Sequence, residues 1–196
     1  IDMCAAPGGK STQLAQIMEN KGRLILIERN ENRIPALEYN LRRMGIYNSI
    51  VINEDARHLE KIDLKVDKIL LDAPCTGEGL IRDDPERKKN RTLNDIKKMA
   101  KIQEELLLTG LDLLKKDGLL IYSTCSIAPE ENEFVVNEVI KKKTNIRIKK
   151  INQQFGVPGY TKILGKELND DLKLSQRFFP HIHDTIGFFI CLLKRE

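Results

Sequence analysis

A chain of 196 residues that is 41% hydrophobic and 32% charged has enough apolar mass for one ordinary core and needs no staples. Its four cysteines, Cys4, Cys75, Cys125 and Cys191, stand far apart, which argues against a zinc site or a small disulfide scaffold and suits a reducing cytoplasm. No apolar stretch reaches the roughly 18 residues of a membrane span, nothing at the start resembles a signal peptide, and a net charge of +4 permits a polyanionic partner without demanding one, so a soluble protein is expected.

Residues 1–3 (Ile-Asp-Met) look like a strand already under way, so 1–196 is expected to be one domain whose N-terminal portion lies upstream. Helical spacing follows over 11–19, an apolar strand over 24–27, a helix over 31–44 and strands over 50–52 and 69–71. A long helix is expected over 93–114, with Leu106, Leu107, Leu111 and Leu114 along one face. A strand over 119–122, a helix over 130–142 and a last strand over 188–193 complete the series, after a Gly- and Pro-containing excursion over 151–187. Alternation of this kind implies an α/β fold whose open, mostly parallel sheet carries helices on both faces.

Ligands of such a sheet sit beyond the carboxyl ends of its strands, which singles out the residues just after each apolar run. After the first run, Cys4-Ala5-Ala6-Pro7-Gly8-Gly9-Lys10 is a small-residue turn running into a helix, where backbone N–H groups can face an anionic group. A Walker loop would need glycine at position 4, which is Cys4, and a dinucleotide fingerprint would need three spaced glycines. Glu28 after the second run is placed to accept from ribose hydroxyls, and Asp55 after the third to accept from an adenine amino group. Arg33, one helical turn beyond Glu28, is a weaker candidate. The set fits adenosine without phosphate. Asp72 and Cys75 follow the fourth run and Cys125 the fifth, so two thiols meet the same end of the sheet.

The segments Cys4-Ala5-Ala6-Pro7-Gly8-Gly9-Lys10, Asp72-Ala73-Pro74-Cys75-Thr76-Gly77 and Ser123-Thr124-Cys125-Ser126 together resemble the Nop/Sun class of RNA cytosine-5 methyltransferases. Arg177-Phe178-Phe179-Pro180-His181 and Gly187-Phe188-Phe189 look like that family's closing segment, so the resemblance runs over nearly the whole chain. It implies a Rossmann-like methyltransferase sheet, mostly parallel with an antiparallel C-terminal strand. It also implies S-adenosylmethionine held by residues 4–10, Glu28, Asp55 and Asp72. The resemblance assigns nucleophilic attack on carbon 6 of cytosine to Cys125 and release of the methylated product to Cys75; the residues alone do not rank the two. Asp72 would then hold the amino edge or ring nitrogen of the base and Lys10 its opposite polar edge. RNA, transfer RNA first, is the implied partner, with ribosomal RNA, or RNA binding without activity, as alternatives; a monomer is expected, because an RNA substrate requires no second subunit.

Cytosine must leave its stack to expose carbon 6, and Gly77-Glu78-Gly79-Leu80 is expected to yield to the entering base. Arg82, Arg87, Lys88, Lys89 and Arg91 would grip flanking phosphates. Lysines 141–143 and 149–150 read as solvated faces. His181, His183 and Asp184 lack a third firm ligand, so no metal is expected.

Overall fold

The structure, a computed structural model, describes residues 1–61, 64–152 and 155–196. The elements in chain order are α1 (Gly9–Ile17), β1 (Leu24–Ile27), α2 (Ile34–Arg43), β2 (Ser49–Ile52), β3 (Val66–Asp72), α3 (Leu93–Leu113), β4 (Leu114–Thr124) and α4 (Glu133–Lys142). After these come β5 (Ile146–Lys149), β6 (Val157–Pro158), β7 (Lys162–Ile163), β8 (Lys166–Glu167), β9 (Gln176–Phe178), α5 (Pro180–His183) and β10 (Phe188–Arg195).

The first residues lie inside the sheet. Asp2 bridges Leu26 of β1 and Leu70 of β3, both in parallel, through bonds such as Asp2 N to the Ile25 carbonyl at 2.8 Å and Met3 N to the Leu70 carbonyl at 2.9 Å. Parallel β2 continues beyond β1 and parallel β4 beyond β3, while β10 runs antiparallel to β4 and carries antiparallel β5 and β9 on its far side. The fold is therefore the mixed Rossmann-like sheet expected. One departure is the excursion over 151–187, where β6, β9 and the small β7–β8 hairpin form through backbone pairing that polar, glycine-containing sequence does not advertise.

Leu107 and Leu111 of α3 and Val136 and Val139 of α4 bury against Leu71, Leu120 and Phe189 on one face, while Ala15 of α1 and Leu37 and Leu41 of α2 cover Leu24 and Leu26 on the other. Thr92 starts α3 with a capping box: its hydroxyl accepts from Asp95 N at 3.3 Å and the Asp95 carboxylate accepts from Thr92 N at 2.9 Å. Asn30 opens the turn before α2, accepting from Asn32 N at 3.1 Å, and Pro35 in the first helical turn fits because no partner is needed for an N–H there. None of the described helices is long and apolar enough to cross a membrane.

Candidate active site

Neighbouring parallel strands deliver the two thiols. Asp72 at the end of β3 lies opposite Ser123 near the end of β4, so the residues just beyond them converge, and Cys75 Sγ stands 2.8 Å from Cys125 Sγ with both thiols free. The hydrogen bond from Cys75 lowers the Cys125 thiol below its ordinary range, with the Arg87 charge adding to that, and the same bond together with burial raises Cys75. Once the pair loses one proton, both shifts place the negative charge on Cys125.

Backbone contacts fix this arrangement. Gly79 N donates to the Cys125 carbonyl at 3.0 Å and Gly187 N to the Gly79 carbonyl at 2.8 Å. A Cβ on Gly79 would stand 2.1 Å from the Gly187 oxygen and 2.6 Å from that of Cys125, so this glycine serves close backbone approach. That differs from the yielding segment expected: the turn is packed against both neighbours because Gly79 and Gly187, having no side chains, let their backbones close on each other, with Gly79 also meeting the Cys125 carbonyl.

Asp72 joins the cysteines to the first loop. Its carboxylate accepts from Lys10 Nζ at 2.8 Å and from Ser123 Oγ at 2.8 Å, and the Lys10 ammonium sits 5.5 Å from the centre of the Phe188 ring. Both charges remain partly exposed, 46% for Lys10 and 29% for Asp72, so an incoming polar group can compete for them.

The first loop is held by its own neighbours. Gly8, with φ of 104°, caps α1 where a Cβ would press on Leu37 Cδ1 at 2.8 Å. Ala5 and Ala6 are buried against α1 and α2, whereas Pro7, Gly9 and Lys10 are exposed. Cys4, Glu28, Arg33 and Asp55 line one cleft together with Pro74 and Leu106. Glu28 is buried at the end of β1, accepting from Ala6 N at 3.3 Å and Asn30 N at 2.8 Å with Arg33 at 3.5 Å. Asp55 is gripped by Arg57, whose Nη2 lies at 2.7 Å and Nε at 3.0 Å, and these bonds hold its carboxyl down to about 2. Each carboxylate keeps lone-pair capacity toward the cleft, and the buried acid, the apolar Leu106 wall and the polar rim suit a nucleoside-bearing cofactor.

The basic cluster is largely engaged. Arg82 pairs with Asp184 at 2.6 Å, Arg87 with Asp84 at 3.0 Å, Lys89 with Glu86 at 3.1 Å, and Arg91 donates to the Thr76 carbonyl at 3.0 Å. The side chain of Lys88 lies outside the described residues. Lys141, Lys142 and Lys143 pair with Glu138, Glu104 and Asp112 on the surface, as solvated helix-end lysines do. His183 Nδ1 accepts from Phe179 N at 2.9 Å, and among the described residues no cluster suits a metal ion.

Several site residues were not evident in the sequence. Asp2, hidden in an apolar run, is 1% exposed and accepts from Ser11 Oγ at 2.7 Å and Cys4 N at 3.2 Å, tying both ends of the first loop. A carboxylate inside a central strand was the available signal. Glu131, in a run that looks like surface, is fully buried behind Cys75. Arg177 is also buried, donating to the Ile127 carbonyl at 2.6 Å beside Glu133 at 3.5 Å, and it anchors the excursion to the turn after Cys125.

A family model described as 16S rRNA methyltransferase RsmB/F matches residues 1–194. The chain is 40% identical to a 28S rRNA (cytosine-C(5))-methyltransferase of Mus musculus, across all of this chain and 25% of that protein. It is also 40% identical to a tRNA (cytosine(72)-C(5))-methyltransferase of Pyrococcus horikoshii, across all of this chain and 46% of that protein. The crystal structure of NSun6 from Pyrococcus horikoshii with SFG superposes with a TM-score of 0.86 at 40% identity, covering 99% of this chain and 47% of that one. The chain therefore spans between a quarter and a half of these relatives' lengths.

Proposed function

We propose that this chain, which belongs to the 16S rRNA methyltransferase RsmB/F family, methylates carbon 5 of a cytosine in RNA through a transient bond between Cys125 and carbon 6. The observation that carries this reading is the 2.8 Å approach of Cys75 and Cys125 beside the Lys10–Asp72 pair.

Carbon 5 of cytosine is a weak nucleophile, and addition of a thiolate at carbon 6 pushes an electron pair onto it. Cys125 suits that step because its thiol is lowered toward ionisation and because a thiolate both attacks and leaves easily. S-adenosylmethionine supplies the methyl group when bound. Cys4, Glu28 and Asp55 would hold it in their cleft, with the Cys4–Lys10 turn at one end. Asp72 would accept from the amino edge of the base and Lys10 would donate to the opposite edge, each giving up its contact with the other. Charge building on the ring then meets a fixed cation. A base, water or a solvent anion, takes the carbon 5 proton, the freed C–H pair restores the carbon 5–carbon 6 double bond, and the carbon–sulfur bond breaks with its pair returning to Cys125; Cys75 beside it serves this release.

Transfer RNA is the substrate we favour, and ribosomal RNA is a second reading because relatives named for each are equally similar to this chain. The four free thiols suit a reducing compartment such as the cytoplasm, and a monomer suffices, since both sulfurs come from one chain. Incubation with isotopically labelled S-adenosylmethionine and either RNA, followed by nucleoside analysis, tests the reading. Labelled 5-methylcytidine is expected; label in another nucleoside, or RNA binding with no label, would refute it.

A further inference from the structure

A buried polar chain lies directly behind the two thiols, and the proposed reaction does not use it. Thr76 Oγ1 touches Glu78 Oε1 on one side and Glu131 Oε1 on the other. Glu131 also accepts from Gln103 Nε2 at 2.6 Å and Thr76 N at 3.1 Å. Glu78 Oε2 lies 2.6 Å from Ser126 Oγ, which itself accepts from Ala128 N at 3.0 Å, so the serine proton points to Glu78.

The protons can be counted. A threonine hydroxyl has one hydrogen, and two ionised carboxylates cannot both bond to it, because one contact would then join oxygens that only accept. One carboxyl must bring a proton of its own. Glu78 is half-exposed and already receives the Ser126 hydroxyl, whereas Glu131 is 0% exposed. Burial, with the Glu78 charge nearby, raises the Glu131 carboxyl, in the same direction.

We infer that Glu131 is a protonated positioning residue. It donates to Thr76, which donates to ionised Glu78, and this chain locks the Cys75 loop to the Cys125 turn through Ser126. The inference deepens the proposed methyl transfer, because it concerns what sets the two thiols at their working distance. Carrying the proton inside also leaves one negative charge behind the thiol pair instead of two, which favours the Cys125 thiolate.

The assignment is asymmetric and can be tested so. In Glu131→Gln the amide N–H replaces the carboxylic O–H and the chain survives; in Glu78→Gln an N–H group replaces an oxygen that must accept. Alkylation of Cys125 by iodoacetamide, read by peptide mass, reports the geometry without RNA. Glu131→Gln should keep the wild-type rate within about threefold and Glu78→Gln should lose roughly tenfold, with matching changes in methylation turnover. Should Glu78→Gln fail to fold, Ser126→Ala removes the donor at the same junction and should lose the same factor. A Glu131→Gln protein that is unfolded or as slow as Glu78→Gln, or a Glu78→Gln or Ser126→Ala protein at the wild-type rate, would overturn the inference. Absence of methylation with the alkylation asymmetry intact would instead refute the proposed reaction and leave the proton where it is placed here.

Discussion

The sulfurs of Cys75 and Cys125 share a hydrogen bond across 2.8 Å, from the loop after one strand to the turn after the next. Two otherwise similar thiols are thereby made unequal. The shared bond lowers Cys125 and raises Cys75, burial raises Cys75 further, and the Arg87 charge favours the thiolate of Cys125.

Alkylation should expose that inequality. Because the folded Cys125 thiol lies below its ordinary value, its reaction with iodoacetamide should extend to lower pH than that of the same cysteine in the unfolded chain. Cys75→Ala removes the donor and should slow Cys125 alkylation at pH 7 by roughly tenfold, measured by peptide mass.

The Asp55–Arg57 pair should appear in stability against pH. The Asp55 carboxyl falls from 3.8 to about 2 on folding, so its contribution is fully present above the unfolded value and is lost as pH falls toward 2. The shift corresponds to at most about 2 kcal/mol, nearer 1 after solvent screening. Asp55→Asn should melt lower than wild type at pH 6, and thermal scans between pH 6 and 3 should find the gap narrowing with acid.

Lys10 should matter to rate more than to stability. Its bond to Asp72 is partly exposed, so Lys10→Met should change melting little, while loss of a cation facing the ring should lower single-turnover methylation about a hundredfold. A large drop in melting temperature instead would make Lys10 a structural residue.

Gly79 should tolerate no side chain. The carbonyl oxygens of Gly187 and Cys125, at 2.1 and 2.6 Å from a Cβ there, are backbone and cannot rotate aside. Gly79→Ala should destabilise by roughly 1–3 kcal/mol in urea unfolding and slow Cys125 alkylation as well.

How far the sequence carries depends on what each feature rests on. Strands 24–27, 69–71 and 119–122 are legible as continuous apolar runs, of which Leu24, Leu26, Ile27, Ile69, Leu71, Leu120 and Tyr122 are buried, although Ile121 is exposed. The meeting of Cys75 and Cys125 follows from parallel neighbours with residues at equivalent ends. The β9 strand is hidden because its pairing with β10 uses backbone groups in a segment with no such run. Local charge partners are equally hidden: Arg57 lies two residues from Asp55, yet nothing in their spacing says that it closes on that carboxylate. The run Arg82 to Arg91 looks like a free phosphate grip until Asp84, Glu86 and Asp184 are found to occupy three of its cations. The burial of Glu131 is hidden for the same reason, since its partners, Gln103 of α3 and Thr76 of the Cys75 loop, come from distant parts of the chain.

The division of labour between the sulfurs is tested most directly by denaturing electrophoresis of the protein with substrate RNA and S-adenosylmethionine. Cys75→Ala should accumulate a covalent protein–RNA species, and Cys125→Ala should form none and transfer no methyl group. A Cys125→Ala protein with near-normal turnover, or an adduct that survives in it, would contradict the account.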